Sequence, residues 1–188
     1  ATLGGLLIFG INPTKGLPQN GISFAYFKGT EIDDELLDKK VIEGTLDTQI
    51  DTLSVLLTKY LAAPSKIVGN KRIDSKAVYP EKVFRELITN AVVHRNYSIS
   101  GSKTRVFLFE DRLEVISPGR LPNTITIEKL PYGVSFAVNP VVVKFMENLR
   151  YIDQLGRGLP MVSQEAKKAG KKVVFQELGE EFKVILEL

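Results

Sequence analysis

The chain has 188 residues, 44% of them hydrophobic and 25% charged, with 25 Lys and Arg against 22 Asp and Glu for a net charge of +3. That balance belongs to a folded chain able to bury a core, as one domain with an appendage or two small ones, and it excludes intrinsic disorder. There is no cysteine and a single histidine, His94, which removes disulfides, thiolate zinc sites, cysteine nucleophiles and multi-histidine metal centres.

The apolar runs fall short of the roughly 18 residues that span a bilayer. No basic stretch leads into an apolar one at the start, so the expectation is a cytoplasmic protein without a membrane partner. The chain opens Ala1-Thr2-Leu3 with no initiator methionine, which points to a segment of a longer protein that continues on the N-terminal side. Leu6–Phe9 reads as a short buried strand or helix, which periodicity alone does not separate. Turn residues at Gly10–Pro13 and Gly16–Gly21 lead into a β-rich strand, Ile22–Phe27. Residues 31–51 carry eight acids against Lys39 and Lys40. Ile50, Leu53, Leu56, Leu57, Tyr60 and Leu61 then recur at helical spacing and predict an amphipathic helix over Leu46–Leu61.

The charge reverses over residues 64–105, where nine basic side chains face Asp74, Glu81 and Glu86. Ile67–Tyr79 reads as a connecting strand. Pro80 opens a helix reaching about His94, with Val83, Leu87, Ala91 and His94 on one stripe. Thr104–Phe109 and Arg112–Ile116 form a hairpin, and Ser117–Pro122 is a loop. A helix follows from Asn139-Pro140 to Leu149. Gly156-Arg157-Gly158 opens another that reaches Ala169, and Phe175–Glu177 with Phe182–Leu188 closes the chain as a hairpin about Gly179. Helices interleaved with a mostly antiparallel sheet predict an α+β sandwich.

Three segments carry candidate chemistry. Glu86, Asn90 and His94 are spaced i, i+4, i+8 and so stack on one helix face, about 5–6 Å apart. A carboxylate can orient a water as general base, and an amide oxygen four residues on can ligate Mg²⁺. From spacing alone, the commoner outcome is a solvated Glu86 paired with Arg85 or Lys82 and a satisfied core histidine. Gly156-Arg157-Gly158 before a helix either cradles phosphate on free N–H groups or simply starts the helix. Ser117-Pro118-Gly119 at a strand end is either a ligand-facing loop or one shaped by proline and glycine. The basic stretches at 64–105 and 144–172 are either a phosphate-facing surface or ordinary solvated faces. No Gly-Lys-Ser/Thr occurs, which argues against a P-loop motor.

Taken together, Glu86-x-x-x-Asn90-Ala91-x-x-His94-Arg95-Asn96-Tyr97-Ser98, Phe109–Gly119, Asn139-Pro140 and Gly156-Arg157-Gly158 resemble bacterial and archaeal RecG-related proteins, also described as transcriptional regulators. In those proteins an AlbA-like (Schlafen-type) DNA-binding domain precedes a GHKL-type, histidine-kinase-like ATPase domain. The resemblance implies the tail of the AlbA-like domain over 1–40, a linker helix and connecting strand over 41–79, and a GHKL-like α/β sandwich over 80–188. It makes Glu86 the water-activating, catalytic residue and Asn90 the Mg²⁺ ligand. His94, Ser117, Gly119, Gly156, Arg157 and Gly158 join Asn90 in holding ATP. Where the family ends a strand in D-x-G-x-G, this chain has Ile116-Ser117-Pro118-Gly119-Arg120. The aspartate that accepts from the adenine amine is missing, and a hydroxyl accepts more weakly.

In function, the resemblance implies a regulatory protein that binds ATP with Mg²⁺. DNA would be held mainly by the region preceding Ala1, and a homodimer is expected. Two other functional readings remain: a true ATPase with Glu86 as base, and a degenerate scaffold used for dimerisation or partner docking.

Overall fold

The computed structural model describes residues 2–61, 66–68, 71–73, 79–134, 136–152 and 155–188, with the backbone alone at 66–68 and 71–73. The elements in chain order are α1 (Leu3–Phe9), α2 (Pro13–Gly16), β1 (Ile22–Lys28), β2 (Glu35–Ile42), α3 (Leu46–Leu61), β3 (Lys66–Val68) and β4 (Lys71–Ile73). They continue with α4 (Glu81–Val93), β5 (Thr104–Leu108), β6 (Arg112–Pro118), a 3₁₀ segment (Ile127–Tyr132), α5 (Pro140–Asn148), α6 (Gly158–Lys168), β7 (Val173–Leu178) and β8 (Glu181–Glu187).

Six strands form one sheet in the order β2-β1-β5-β6-β8-β7, and β3 and β4 form a separate hairpin. β1 runs parallel to β5, from Ile22 opposite Thr104 to Tyr26 opposite Leu108; every other pair in the sheet is antiparallel. A parallel pair needs a long crossover, and α3 and α4 lie within it. The expected α+β sandwich, a sheet covered by helices, is therefore what the chain adopts, with one parallel pair.

Register explains the core. Phe24, Val106, Val115, Val184 and Phe175 stand opposite one another across five strands, and Tyr26, Leu108, Leu113, Leu186 and Val173 form the neighbouring row. All ten point to the face where the helices pack, because side chains alternate with a period of two along a strand. The alternate residues face the other way. There Glu114 is buried between Arg112 and Lys183, at 2.7 and 2.6 Å, and Arg105 meets Glu181 at 2.5 Å.

From the helical layer, α3 contributes Leu46, Ile50, Leu53 and Leu57, all fully buried, and α4 contributes Val83, Leu87, Ile88 and Ala91. Burying a Leu, Ile or Val side chain is worth about 2 kcal/mol, so the seven larger of these hold the two helices against each other and onto the sheet.

The structure settles or changes several expectations. Leu6–Phe9 belongs to a helix, because the Thr2 hydroxyl accepts from the Gly5 N–H at 3.1 Å and caps its start. The acid-rich stretch after residue 31 holds a strand, β2, which has no counterpart in the expectations. Pro80 is the N-cap residue of α4, and the hairpins and the other long helices lie where expected. The sheet runs unbroken across residue 40, since β1 and β2 are two of its six strands. The connecting strand expected over Ile67–Tyr79 lies in large part outside the described residues.

Candidate functional site

The polar face of α4 forms as its spacing requires. The Asn90 amide nitrogen donates to the Glu86 backbone oxygen at 2.8 Å and to Glu86 Oε1 at 2.5 Å. This pairing spends the amide's N–H groups and leaves Oδ1 as the part of Asn90 that can meet a cation. One turn on, His94 ends the helix, its N–H bonded to the Asn90 carbonyl. Asn139 donates to the carbonyls of Val93 and Arg95, both at 2.8 Å. It thereby satisfies acceptors left over at the end of α4.

Glu86 does not stand in solvent. A Cβ added at Gly158 would lie 1.6 Å from Glu86 Oε1, so the carboxylate rests on the backbone of the first residue of α6. A side chain at Gly158 would therefore have to turn the Glu86 carboxylate aside. At Gly156 the constraint is the main chain. Its φ is +66°, and a Cβ there would lie 2.9 to 3.2 Å from the backbone O, C and N of Val134, just beyond the 3₁₀ segment. Side chains rarely adopt that backbone conformation, and the neighbour is main chain that cannot swing away. Arg157, between the two glycines, is exposed at the N-cap of α6.

At the end of β6, Ser117 is buried and its hydroxyl donates to the Ala91 carbonyl on α4 at 2.7 Å. What Ser117 can offer a ligand is a lone pair, not a proton. Gly119, with φ +125°, lets the chain pass within 2.9 Å of Asn96 Cβ, measured from the position a Cβ would take. Its N–H donates to the Glu180 carbonyl at 2.7 Å.

Between these elements lies a cleft with two lobes. The first has about 780 Å³ of empty space, its open mouth included. It is walled by apolar residues such as Val115, Ile125 and Phe182, with Asn90, His94, Ser117, Gly119 and Arg120 supplying polar groups. The second has about 970 Å³, again with its mouth, and is lined by Glu86, Asn90, His94, Lys144, Gly156 and Gly158 among others. The lobes share Asn90, His94, Leu130, Val134, Phe136 and Leu159.

Every expected site residue except Arg157 therefore lines the cleft. Lys144 on α5 and the apolar residues of the 3₁₀ segment and the loop after it line the cleft as well. The sequence offered no motif for them. Periodicity places Lys144 on a helix but does not say which cavity that helix borders.

Burial pushes the His94 imidazole down to about 4. It is neutral near pH 7, so what it could offer a ligand is a hydrogen bond or a stacking face, not a charge. Because an unfolded histidine titrates near 6.5, the unfolded chain takes up the proton first as pH falls. His94 burial therefore contributes full stability above about pH 6.5 and loses roughly 3 kcal/mol as pH drops toward 4. Urea unfolding of wild type and His94→Gln between pH 7 and pH 4 checks this. The wild type is expected to weaken more steeply, and parallel curves would show that the ring is hydrated.

The described members of the basic stretch at 64–105 find partners within the fold. Arg85 pairs with Asp51 at 3.0 Å, Lys82 with Glu165 at 3.3 Å, and Lys103 reaches the Pro18 and Asn20 carbonyls at 2.8 Å. Lys66, Lys71, Arg72 and Lys76 lie outside the side chains described. Among the described residues no cluster of three or more His, Cys, Asp or Glu could hold a metal ion by itself. Among them, too, no helix is long and apolar enough to cross a membrane.

The donors fit the groups the resemblance implies. A flat ring suits the apolar lobe, and an anionic tail can run toward Lys144 and the start of α6. Mg²⁺, which takes one or two protein oxygens and completes its shell with phosphate and water, would find Asn90 Oδ1 and Glu86 beside that tail.

Comparison with known proteins gives two findings. Residues 101–186 match the family described as "Putative ATP-dependent DNA helicase recG C-terminal". The match takes in Ser117, Gly119, Gly156, Arg157 and Gly158 and begins after α4, so Glu86, Asn90 and His94 lie outside it. The crystal structure of the DIP2311 protein from Corynebacterium diphtheriae superposes with a TM-score of 0.80 at 22% identity, over 98% of this chain and 37% of that one. The present chain thus spans little more than a third of that protein, and at this identity the likeness concerns the fold. No curated protein matches. From β5 to β8, then, this chain is similar to the C-terminal, ATPase-like region of RecG-related proteins.

Proposed function

We propose that the chain is the nucleotide-binding part of a regulatory protein and that the cleft beside α4 binds ATP with Mg²⁺. The observation that carries this reading is the facing of Glu86 and Asn90 against Gly158 at the start of α6, next to an apolar lobe that can take a base. In this reading the base enters the lobe lined by Ser117, Gly119 and His94, and the phosphates lie toward Gly158 and Lys144. Asn90 Oδ1 ligates the cation, and Glu86 is the group able to take a proton from an attacking water. Mg²⁺, when bound, neutralises phosphate charge and orients the terminal group. The longer protein would be a DNA-linked transcriptional regulator of the cytoplasm, acting as a homodimer. It would hold DNA mainly through an AlbA-like region that precedes this chain and ends within its first 40 residues, with residues 80–188 as the nucleotide domain.

Titration calorimetry with ATP, with and without Mg²⁺, and with adenosine tests the proposal. Saturable binding of ATP at one site is expected. Absence of heat with all three ligands, together with an unchanged melting temperature, rules nucleotide binding out.

A second reading has its own support. No aspartate stands at the end of β6, Gly156 already has a main-chain neighbour that requires glycine, and Gly158 already lies against the Glu86 carboxylate. These observations favour a scaffold that has kept the fold without the ligand, and the same titration separates the two.

A further inference from the structure

The two lobes of the cleft meet at a waist formed by the residues that line both, Asn90, His94, Leu130, Val134, Phe136 and Leu159. Asn90 and His94 are the two that bring polar side chains to it. The Asn90 amide nitrogen is already bonded to the Glu86 main chain and carboxylate, and its Oδ1 is the cation ligand of the reading above. The His94 ring is different. Among the described residues it takes part in no hydrogen bond and no ion pair, and burial alone lowers its pKa. Neither ring nitrogen is sealed away from solvent, and the open space that His94 borders is this cleft. A half-buried polar ring without a protein partner is uncommon, because desolvating such a group costs free energy unless a hydrogen bond offsets it.

The chemistry of the ring selects what it can meet. A neutral imidazole carries one N–H donor and one bare acceptor nitrogen, whichever tautomer it adopts. A hydroxyl is likewise both donor and acceptor, so it matches either tautomer. In a nucleotide the sugar joins the base to the phosphates. A base in the apolar lobe, with phosphates in the lobe of Glu86 and Lys144, therefore sets the sugar at the waist. We propose that His94 is the residue that reads the sugar, hydrogen-bonding a ribose hydroxyl where the two lobes meet. The inference rests on the nucleotide-binding reading above. It adds that the site distinguishes ribonucleotides from nucleotides that lack both sugar hydroxyls, and that one side chain makes the distinction.

Calorimetry in Mg²⁺ with ATP and with 2′,3′-dideoxy-ATP, on wild type, His94→Phe and His94→Leu, tests it. The wild type is expected to bind ATP about fivefold more tightly than the dideoxy analogue, the factor that one neutral hydrogen bond supplies. His94→Phe keeps a flat ring but neither nitrogen, so it is expected to bind the two nucleotides alike. Because each variant is judged by its own ratio between the two ligands, a change in the shape of the cleft that affects both equally does not mimic the result. Equal binding of the two nucleotides by the wild type overturns the sugar assignment while leaving the nucleotide site standing. A preference that persists undiminished in the variants also overturns it, because another group would then read the hydroxyl. If no form of the protein binds either nucleotide, the nucleotide reading falls and the sugar assignment falls with it. Circular dichroism confirms folding, and should His94→Phe not fold, His94→Leu decides.

Discussion

Arg95→Ala is expected to lower the free energy of unfolding by about 4 kcal/mol, one of the two largest single-site losses anticipated in the chain. Arg95 is 1% exposed and forms no ion pair among the described residues. Its guanidinium donates instead to three main-chain carbonyls, those of Asn96 at 2.9 Å, Ile99 at 2.8 Å and Ser102, and lies 4.9 Å from the centre of the Tyr97 ring. Hydrogen bonds to a charged group are worth roughly 1.5–3 kcal/mol each. Truncation leaves three acceptors and a cavity, and the exposed turn at Ser98–Gly101 can rehydrate part of the loss. Arg95→Lys keeps the charge but not the planar fork, so about half the loss is expected to remain. Urea or guanidinium unfolding measures both. A loss below about 1 kcal/mol for the alanine variant would mean that the loop between α4 and β5 is held by something else.

The second large effect is expected at Gly156. Gly156→Ala combines a left-handed backbone, costing a non-glycine residue about 1–2 kcal/mol, with contact against the main chain of Val134. The total expected is about 3 kcal/mol. The strain is relieved by lifting the loop after the 3₁₀ segment off α6, so faster proteolytic cleavage near residues 133–138 is expected as well. Gly158→Ala makes the informative contrast. Its added methyl strikes the end of a flexible glutamate, which can turn aside, so the expected loss is about 1 kcal/mol. If these glycines served only bound phosphate, neither substitution would change the ligand-free protein. Unfolding midpoints and limited proteolysis of the two variants in the absence of nucleotide therefore separate a structural from a ligand-binding origin for the glycine pair. Equal small losses at both positions would remove the structural account.

The elements that could be read from the chain are those whose signal is local. The helical repeat of Ile50, Leu53 and Leu57 fixed α3, Pro80 and the stripe through Leu87 fixed α4, and the turn at Gly179 fixed the last hairpin. β2 escaped because it is an edge strand exposed along most of its length. Glu35, Asp38, Lys39 and Lys40 give it the look of a solvated loop and erase the alternation that marks a half-buried strand. The parallel alignment of β1 with β5 escaped because no local pattern encodes which distant strand will be the neighbour. In the site, the spacing of Glu86, Asn90 and His94 was legible since one helix carries all three. Their meeting with Gly158 was not, for it depends on how α6 packs on α4. Arg95 shows the limit most clearly. In sequence it is one of nine cations in a basic stretch, whereas in the fold it is the most deeply buried charge among the described residues, its two terminal nitrogens held by carbonyls that no residue pattern announces.

The parallel neighbour also sets an order of events during synthesis. β1 and β2 leave the ribosome early, yet the inner edge of β1 has no partner until Thr104–Leu108 has emerged. Until then the hairpin offers an open row of amide and carbonyl groups to any other extended chain, and β2 shields only its far side. Domains whose pairings span long stretches of chain fold slowly for this reason, and the unpaired interval is when they aggregate. The acids and lysines along β2 give that hairpin a charged outer edge during the interval, which disfavours edge-to-edge pairing.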